Sequence, residues 1–308
     1  MGPVSEMSPP GRGDEMKLAA AAYPLDFFGD FSAYEAKITA WVAEGAATGA
    51  DLLVFPEYGA MELASLGGRA VAGDQDRAVR EAAKHHEAAS AVLARLAAAH
   101  DVHILGGSGP VWHEGQLVNR AVFYGPSGVI GHQDKQIMTR FEREDWGIAP
   151  GSGLKVFETP FARVGVVICY DSEFPLLSRA LSEAGAEVLL APCCTEGFAG
   201  FMRVRVGSMA RALENQCVTL QAPLVGEAAW CAGVEENTGI AGIFGPPDAG
   251  WPETGVLAEG ALNVPGWVVA EVSREQIRQT RDDGVVLLSR HWPEQEERVA
   301  VPVEVIRA

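Results

Sequence analysis

Three stretches of the chain, LLVF at 52–55, VGVVIC at 164–169 and VLLAP at 188–192, are apolar at every position over the length of a β-strand. A strand with one face in water alternates apolar and polar residues, so a run without alternation has to be covered on both faces. Such strands belong in sheets layered by helices, and helical patterns do lie between them. Ser32 and Glu35 form a capping-box pattern ahead of Tyr34, Ile38, Trp41, Val42 and Ala46, which predicts a helix over about 33–47. An alanine-rich stretch predicts one continuous helix over about 75–99, Pro175 opens another at LLSRALSEAG, and a further helix is expected at about 200–215. KLAAAAYPL reads as a first strand and CVTLQAPLVG as a late one. VHILGGSG, LVNRAVFYG and VIGHQDK read as a meander, punctuated by His113-Glu114-Gly115 and Gly125-Pro126-Ser127-Gly128. The expected class is α/β, with mixed sheets flanked by helices.

With 308 residues, 48% of them hydrophobic, the chain is long enough to bury a large core. Its formal charge of -17 repels phosphate backbones and anionic membrane surfaces, so neither nucleic acid nor membrane is an expected partner. The apolar runs also fall far short of the roughly 20 residues that span a bilayer. Five cysteines (Cys169, Cys193, Cys194, Cys217, Cys231) lack the C-x-x-C spacing of zinc or redox sites and fit a reducing, cytoplasmic setting. Residues 1–15 read as a disordered leader, 16–284 as the folded domain, and 285–308 as a strand-like arm suited to pack on a partner subunit.

Glu57, Lys135 and Cys169 each follow directly on a strand-like run, where side chains from separate strands converge at one sheet edge. Taken singly, each has an ordinary reading as a loop acid, a surface lysine or a buried thiol. A strand turning at Cys169 into the helix opened by Pro175 would set the thiol near helix N-terminal amides, which favour a thiolate. None of the seven histidines (His85, His86, His100, His103, His113, His132, His291) sits in a context that marks it as the base for that thiol.

The segments LLVFPEYGA, HQDKQIMTRFEREDWG and GVVICYDSEFP, in this order and spacing, resemble the three signature blocks of the nitrilase, or carbon-nitrogen hydrolase, superfamily over about residues 17–275. The resemblance implies a four-layer α-β-β-α sandwich. It implies that Glu57 is the general base, Lys135 the oxyanion-stabilising cation and Cys169 the nucleophile. It aligns a second glutamate, which holds the lysine, with Glu142; Glu144, two residues on, is the alternative. No metal or organic cofactor is implied. The expected substrate is a small amide, with nitrile or N-carbamoyl hydrolysis as alternatives and a catalytically silent binding protein as the reading from another class. Members usually associate through helices beside the site, so a homodimer or higher homo-oligomer is expected.

Four residues are expected near the substrate: Tyr170, Glu173, Cys194 and Thr195. Glu173 departs from the arginine that amidase-type members commonly carry there. It would favour an amine-bearing substrate if it faced the pocket, and otherwise cap a helix or pair with an arginine. Cys193 and Phe198 lie in the same loop as Cys194 and Thr195, while Trp146 and Trp230 are candidate pocket walls or packing residues. Arg211 and Glu214 are expected to be structural.

Overall fold

A computed structural model describes residues 14–307. One sheet runs in the order Gly266–Ser273, Glu15–Ala22, Leu52–Val54, His103–Leu105, Gln116–Gly125, Gly109–His113. Gly128–Asp134 and Ile148–Ala149 also pair with Gln116–Gly125. The second sheet runs Val256–Glu259, Gly242–Phe244, Val218–Pro223, Val188–Cys193, Arg163–Val166, Val156–Glu158. Each has parallel strands at its centre and antiparallel ones outside, the mixed sheets expected.

The period of two along a strand divides the core between layers. Leu18, Ala20, Leu52 and Val54 of the first sheet pack with Val164, Val166, Val188, Leu190, Val218 and Leu220 of the second, forming the interior between sheets. Their neighbours Ala19, Ala21 and Leu53 face the other way, onto Ile38 and Val42 of one helix and Leu93 and Leu96 of another. On the far side, Leu189 and Ala191 pack with Leu181 of the helix Pro175–Glu183. The layering is therefore helix, sheet, sheet, helix, and it explains why the three apolar runs lack alternation.

Some local expectations are corrected. The first helix spans Phe31–Ala47 and is capped by Asp30, whose carboxylate accepts from Ala33 N–H. Ser32 donates its hydroxyl to Asp30 at 2.6 Å and Glu35 pairs with Arg95, so the predicted capping box does not form. The alanine-rich helix is two, Gln75–Lys84 and His86–His100, divided at His85. The imidazole of His85 hydrogen-bonds back to Glu81 at 3.2 Å and stacks on Phe31. The strand holding the apolar run VGVVIC ends at Val166, three residues before Cys169. The strand-like arm at the C-terminus instead contains the short helices Leu288–His291 and Glu294–Val299. Gln216 anchors its start by bonds to the carbonyl of Val286 and the N–H of Ser289, and Trp292 lies under Arg179. Of the leader expected over residues 1–15, residues 1–13 lie outside the described residues, and Glu15 already begins a strand. Among the described residues, no helix is long and apolar enough to cross a membrane.

Candidate active site

Glu57 lies just beyond one central strand and Lys135 at the end of the meander, and the sheet brings them together in the interior. Glu57, Lys135 and Glu142 are 1%, 1% and 2% exposed. Lys135 Nζ donates to Glu57 Oε1 at 2.7 Å and to Glu142 Oε2 at 2.6 Å. Glu142 is held at both oxygens: Oε1 accepts from the Tyr58 hydroxyl, and Oε2 accepts the N–H and hydroxyl of Thr139. Thr139 caps the helix Arg140–Glu144 in a complete capping box with Glu142. That T-x-x-E pattern was a sequence signal for choosing Glu142. Glu144 instead pairs with exposed Arg140.

Cys169 opens a 3-10 helix, Cys169–Glu173, with φ 49°, in the left-handed region that side chains other than glycine rarely adopt. Side-chain hydrogen bonds from Ser172 and to Asp171 fasten this elbow. Ser172 donates its hydroxyl to the carbonyl of Cys169 at 2.6 Å, and the Asp171 carboxylate accepts the N–H groups of Gln136 and Ile137, just after Lys135. The nucleophile's turn and the lysine's loop are thus tied to each other. The thiol donates to the carbonyl oxygen of Cys194 at 3.7 Å. Cys194 N–H in turn donates to Glu57 Oε2 at 3.0 Å.

Burial raises the Glu57 carboxyl, Lys135 opposes that and Glu142 adds to it, leaving it at about 7. Burial acts to lower Lys135, but the two carboxylates outweigh it and hold the ammonium well above the ordinary lysine range. Burial likewise acts to raise Glu142, yet Lys135 outweighs it and keeps this carboxyl below its usual value. Burial, followed by the charge of Glu57, pushes the Cys169 thiol up, with Lys135 opposing. The expected thiolate stabilised by helix amides is therefore corrected. The resting group is a thiol beside a carboxylate that ionises around neutrality.

The four expected substrate contacts part company. Cys194 is half-buried and, with Thr139, Phe141, Glu196, Glu235 and Glu236, lines a cavity of about 610 Å³ that adjoins the buried cluster. Thr195 is buried and spends its hydroxyl on the carbonyl of Thr238. Tyr170 packs edge-on against Phe174. Glu173 pairs with Arg203 and lines a groove along the helix Gly197–Asn215 with Ala199, Met202 and Val206. Of its two expected alternatives, the arginine-paired one is realised. Arg211 donates to the carbonyl of Ser172 and pairs with Glu214, bracing the elbow from behind. Trp146 packs on Tyr58 and Phe141, and Trp230 on Phe27.

Sequence reasoning passed over Asn119, Tyr58, Thr139 and Asp171. Asn119, followed by Arg120, interrupts the otherwise apolar LVNRAVFYG at a position that proves 0% exposed, and that interruption was the available signal. Among the described residues, no group of three or more His, Cys, Asp or Glu side chains is placed to hold a metal ion.

The family pattern described as carbon-nitrogen hydrolase matches residues 17–282. The chain belongs to this family. A probable hydrolase of Bacillus subtilis, YhcX, is 31% identical over 271 residues, covering 88% of this chain and 52% of its own. The bifunctional nitrilase/nitrile hydratase NIT4A of Lupinus angustifolius is 33% identical over 59% of this chain and 53% of its own, and the omega-amidase NIT2 of Xenopus tropicalis 32% over 40% and 48%. The chain thus spans about half the length of the curated relatives it matches. An amidase structure from Nesterenkonia sp. superimposes with a TM-score of 0.68 at 23% identity, over 91% of this chain and 97% of that one. Nit3 of Saccharomyces cerevisiae gives 0.68 at 18%, over 87% and 93%. At these identities the structural likeness concerns the fold, the four-layer sandwich expected from the sequence.

Proposed function

We propose that this carbon-nitrogen hydrolase is a cysteine-dependent amidase that cleaves small linear amides through an acyl-enzyme. The observation that carries the reading is the buried cluster in which Lys135 joins Glu57 and Glu142 while Cys194 bridges Glu57 and Cys169, its N–H on the carboxylate and its carbonyl on the thiol; burial raises the Glu57 carboxyl to about 7. A base of that kind is half ionised at neutral pH, which suits it both to take a proton and to return it.

In the proposed sequence, Cys169 sulfur bonds to the amide carbon while its proton passes to Glu57. The tetrahedral oxyanion is met by Lys135 and the backbone N–H following Cys169. Lys135 gives two of its three N–H groups to Glu57 and Glu142, leaving one for the oxyanion. Glu57 returns the proton to nitrogen, the C–N bond breaks, and ammonia or an amine leaves a thioester. Water then adds to the thioester carbon and gives a proton to Glu57; the C–S bond breaks, the acid departs, and Glu57 reprotonates the thiolate. Glu142, ionised and held at both oxygens, keeps Lys135 in place.

Nitrile hydrolysis is the second reading, favoured by the nitrilase-like string TRFEREDWG and by the similarity to NIT4A. Self-association is proposed to use the helix Gly197–Asn215, whose Phe198 and Val206 are exposed beside the groove described above; sedimentation of the protein tests it. Mass spectrometry of the intact protein with pooled small amides and nitriles tests the chemistry. An acyl adduct on Cys169, absent from Cys169→Ala, is expected. Full amide turnover by Cys169→Ala would overturn the mechanism, and turnover of a nitrile without its corresponding amide would put the second reading first.

A further inference from the structure

Asn119, on the strand Gln116–Gly125, touches all three charged members of the buried cluster. Its Nδ2 lies 3.0 Å from Glu57 Oε1 and 3.4 Å from Glu142 Oε1, and its carbonyl accepts the N–H of Lys135 at 2.9 Å. The opposite orientation of the amide would press Oδ1 against two carboxylate oxygens, so the arrangement of donors selects this one. In this orientation Oδ1 is buried with no hydrogen-bond partner. Fully buried polar groups are rarely left so, and one that persists calls for a role. The next residue on the strand, Arg120, pairs through two nitrogens with Asp134 at 2.6 and 2.8 Å, which stiffens the segment that carries Asn119.

Donors are unequally shared between the two oxygens of Glu57. Oε1 receives Lys135 Nζ and Asn119 Nδ2, which together occupy its two lone pairs. Oε2 receives the N–H of Cys194, whose own carbonyl lies against Cys169 Sγ. The groups that face Glu57 with charge or a titratable proton are Lys135, Glu142, Tyr58, Cys169, Cys193 and Cys194. Against these, a primary amide brings something different: it donates a hydrogen bond but does not exchange its proton in this range, so it holds a carboxylate without competing for the thiol proton.

We propose that Asn119 is a positioning residue that holds Glu57 and Glu142 together and confines proton transfer to one oxygen of Glu57, Oε2. The assignment rests on the amidase reading for what the proton does, but not for where it is held. Because the amide bonds to the ionised form of Glu57, removing it raises the pH at which that carboxylate ionises.

The test compares wild-type protein with Asn119→Leu, similar in size but without a donor. Two profiles are taken from pH 5 to 10: alkylation of Cys169 by iodoacetamide, which needs no substrate, and kcat/KM for a small amide. The acid limb of both is expected to move up by about one pH unit in Asn119→Leu. The deficit is then about five-fold larger at pH 7 than at pH 9, with KM changed less than about two-fold. A deficit constant across pH, or a change in KM alone, overturns the proposal. Should Asn119→Leu not fold, Asn119→Asp, of the same size, adds a third carboxylate and is expected to shift the limb in the same direction; an unshifted limb overturns the proposal. If wild-type protein hydrolyses no amide while the alkylation limb still shifts, the amidase reading fails and the role of Asn119 stands.

Discussion

Lys135 Nζ lies 2.7 Å from Glu57 Oε1, and both side chains are only 1% exposed. A buried pair of this kind is bound by mutual need, since each charge without the other sits in a low-dielectric interior. Lys135→Met would leave Glu57 and Glu142 facing each other with no cation. The expected loss of stability is about 3–5 kcal/mol, measured by urea denaturation, with hydrolysis abolished in whatever protein remains folded.

The Glu57 carboxyl is raised to about 7, by burial first. The form that accepts the thiol proton is the ionised one, present above that pH and lost below it. Activity is therefore expected to be retained on the alkaline side of about pH 7 and to fall about tenfold per unit below it. A pH profile of kcat/KM checks this, and an acid limb near pH 4.5 would show that Glu57 is not the base.

Glu142 and Glu144 lie two positions apart on one short helix and have opposite surroundings. Glu142→Gln removes the charge that anchors Lys135 and is expected to reduce kcat by at least about a hundredfold. Glu144→Gln alters an exposed pair with Arg140 and is expected to leave activity unchanged and stability within about 0.5 kcal/mol. Parallel assays of the two variants decide it.

Gly233 has φ 89°, and a methyl group there would overlap the ring of Trp146. Gly233→Ala thus combines backbone strain with overpacking, each costing about 1–3 kcal/mol. Trp146 packs on Tyr58, which holds Glu142, so activity should fall along with the melting temperature. A thermal melt paired with an amide assay reads both.

Glu173, for all its nearness in sequence to Cys169, is matched by Arg203. Glu173→Gln is expected to leave the ratio of kcat/KM for an amine-bearing amide over a neutral one unchanged within about two-fold. A tenfold fall in that ratio would place the Glu173 charge at the substrate after all.

Much of the architecture was legible because its signals are local. Unbroken apolar runs predicted strands covered on both faces, and the interior between the sheets together with the outer helices provides that cover. The misreadings arose where a pattern had two physical solutions. Ser32 was a plausible cap, but Asp30 lay closer to the free N–H groups and took the serine hydroxyl as well. The valine alternation from 299 to 305 resembled a strand, but it forms none, and the charged residues after Pro293 give a short helix that ends at Val299. For the site, only Lys135 follows directly on its strand as expected, while Glu57 and Cys169 lie three residues beyond theirs; Thr139 three residues ahead of Glu142 held the signal that distinguished it from Glu144.

By itself, then, the sequence determined that helices cover mixed sheets, because apolar periodicity is a property of neighbouring positions, while the spacing of its motifs pointed to the family and, through that resemblance, to the four layers. Only the tertiary structure decided how the charges are shared. Glu57 meets Asn119 across 62 positions, Lys135 across 78 and the N–H of Cys194 across 137. Partners so far apart are selected when strands and loops pack in three dimensions, where distance and burial set which oxygen receives which proton. The same packing turned Glu173 toward Arg203 and set the amide of Asn119, inconspicuous in its strand, against both carboxylates of the cluster.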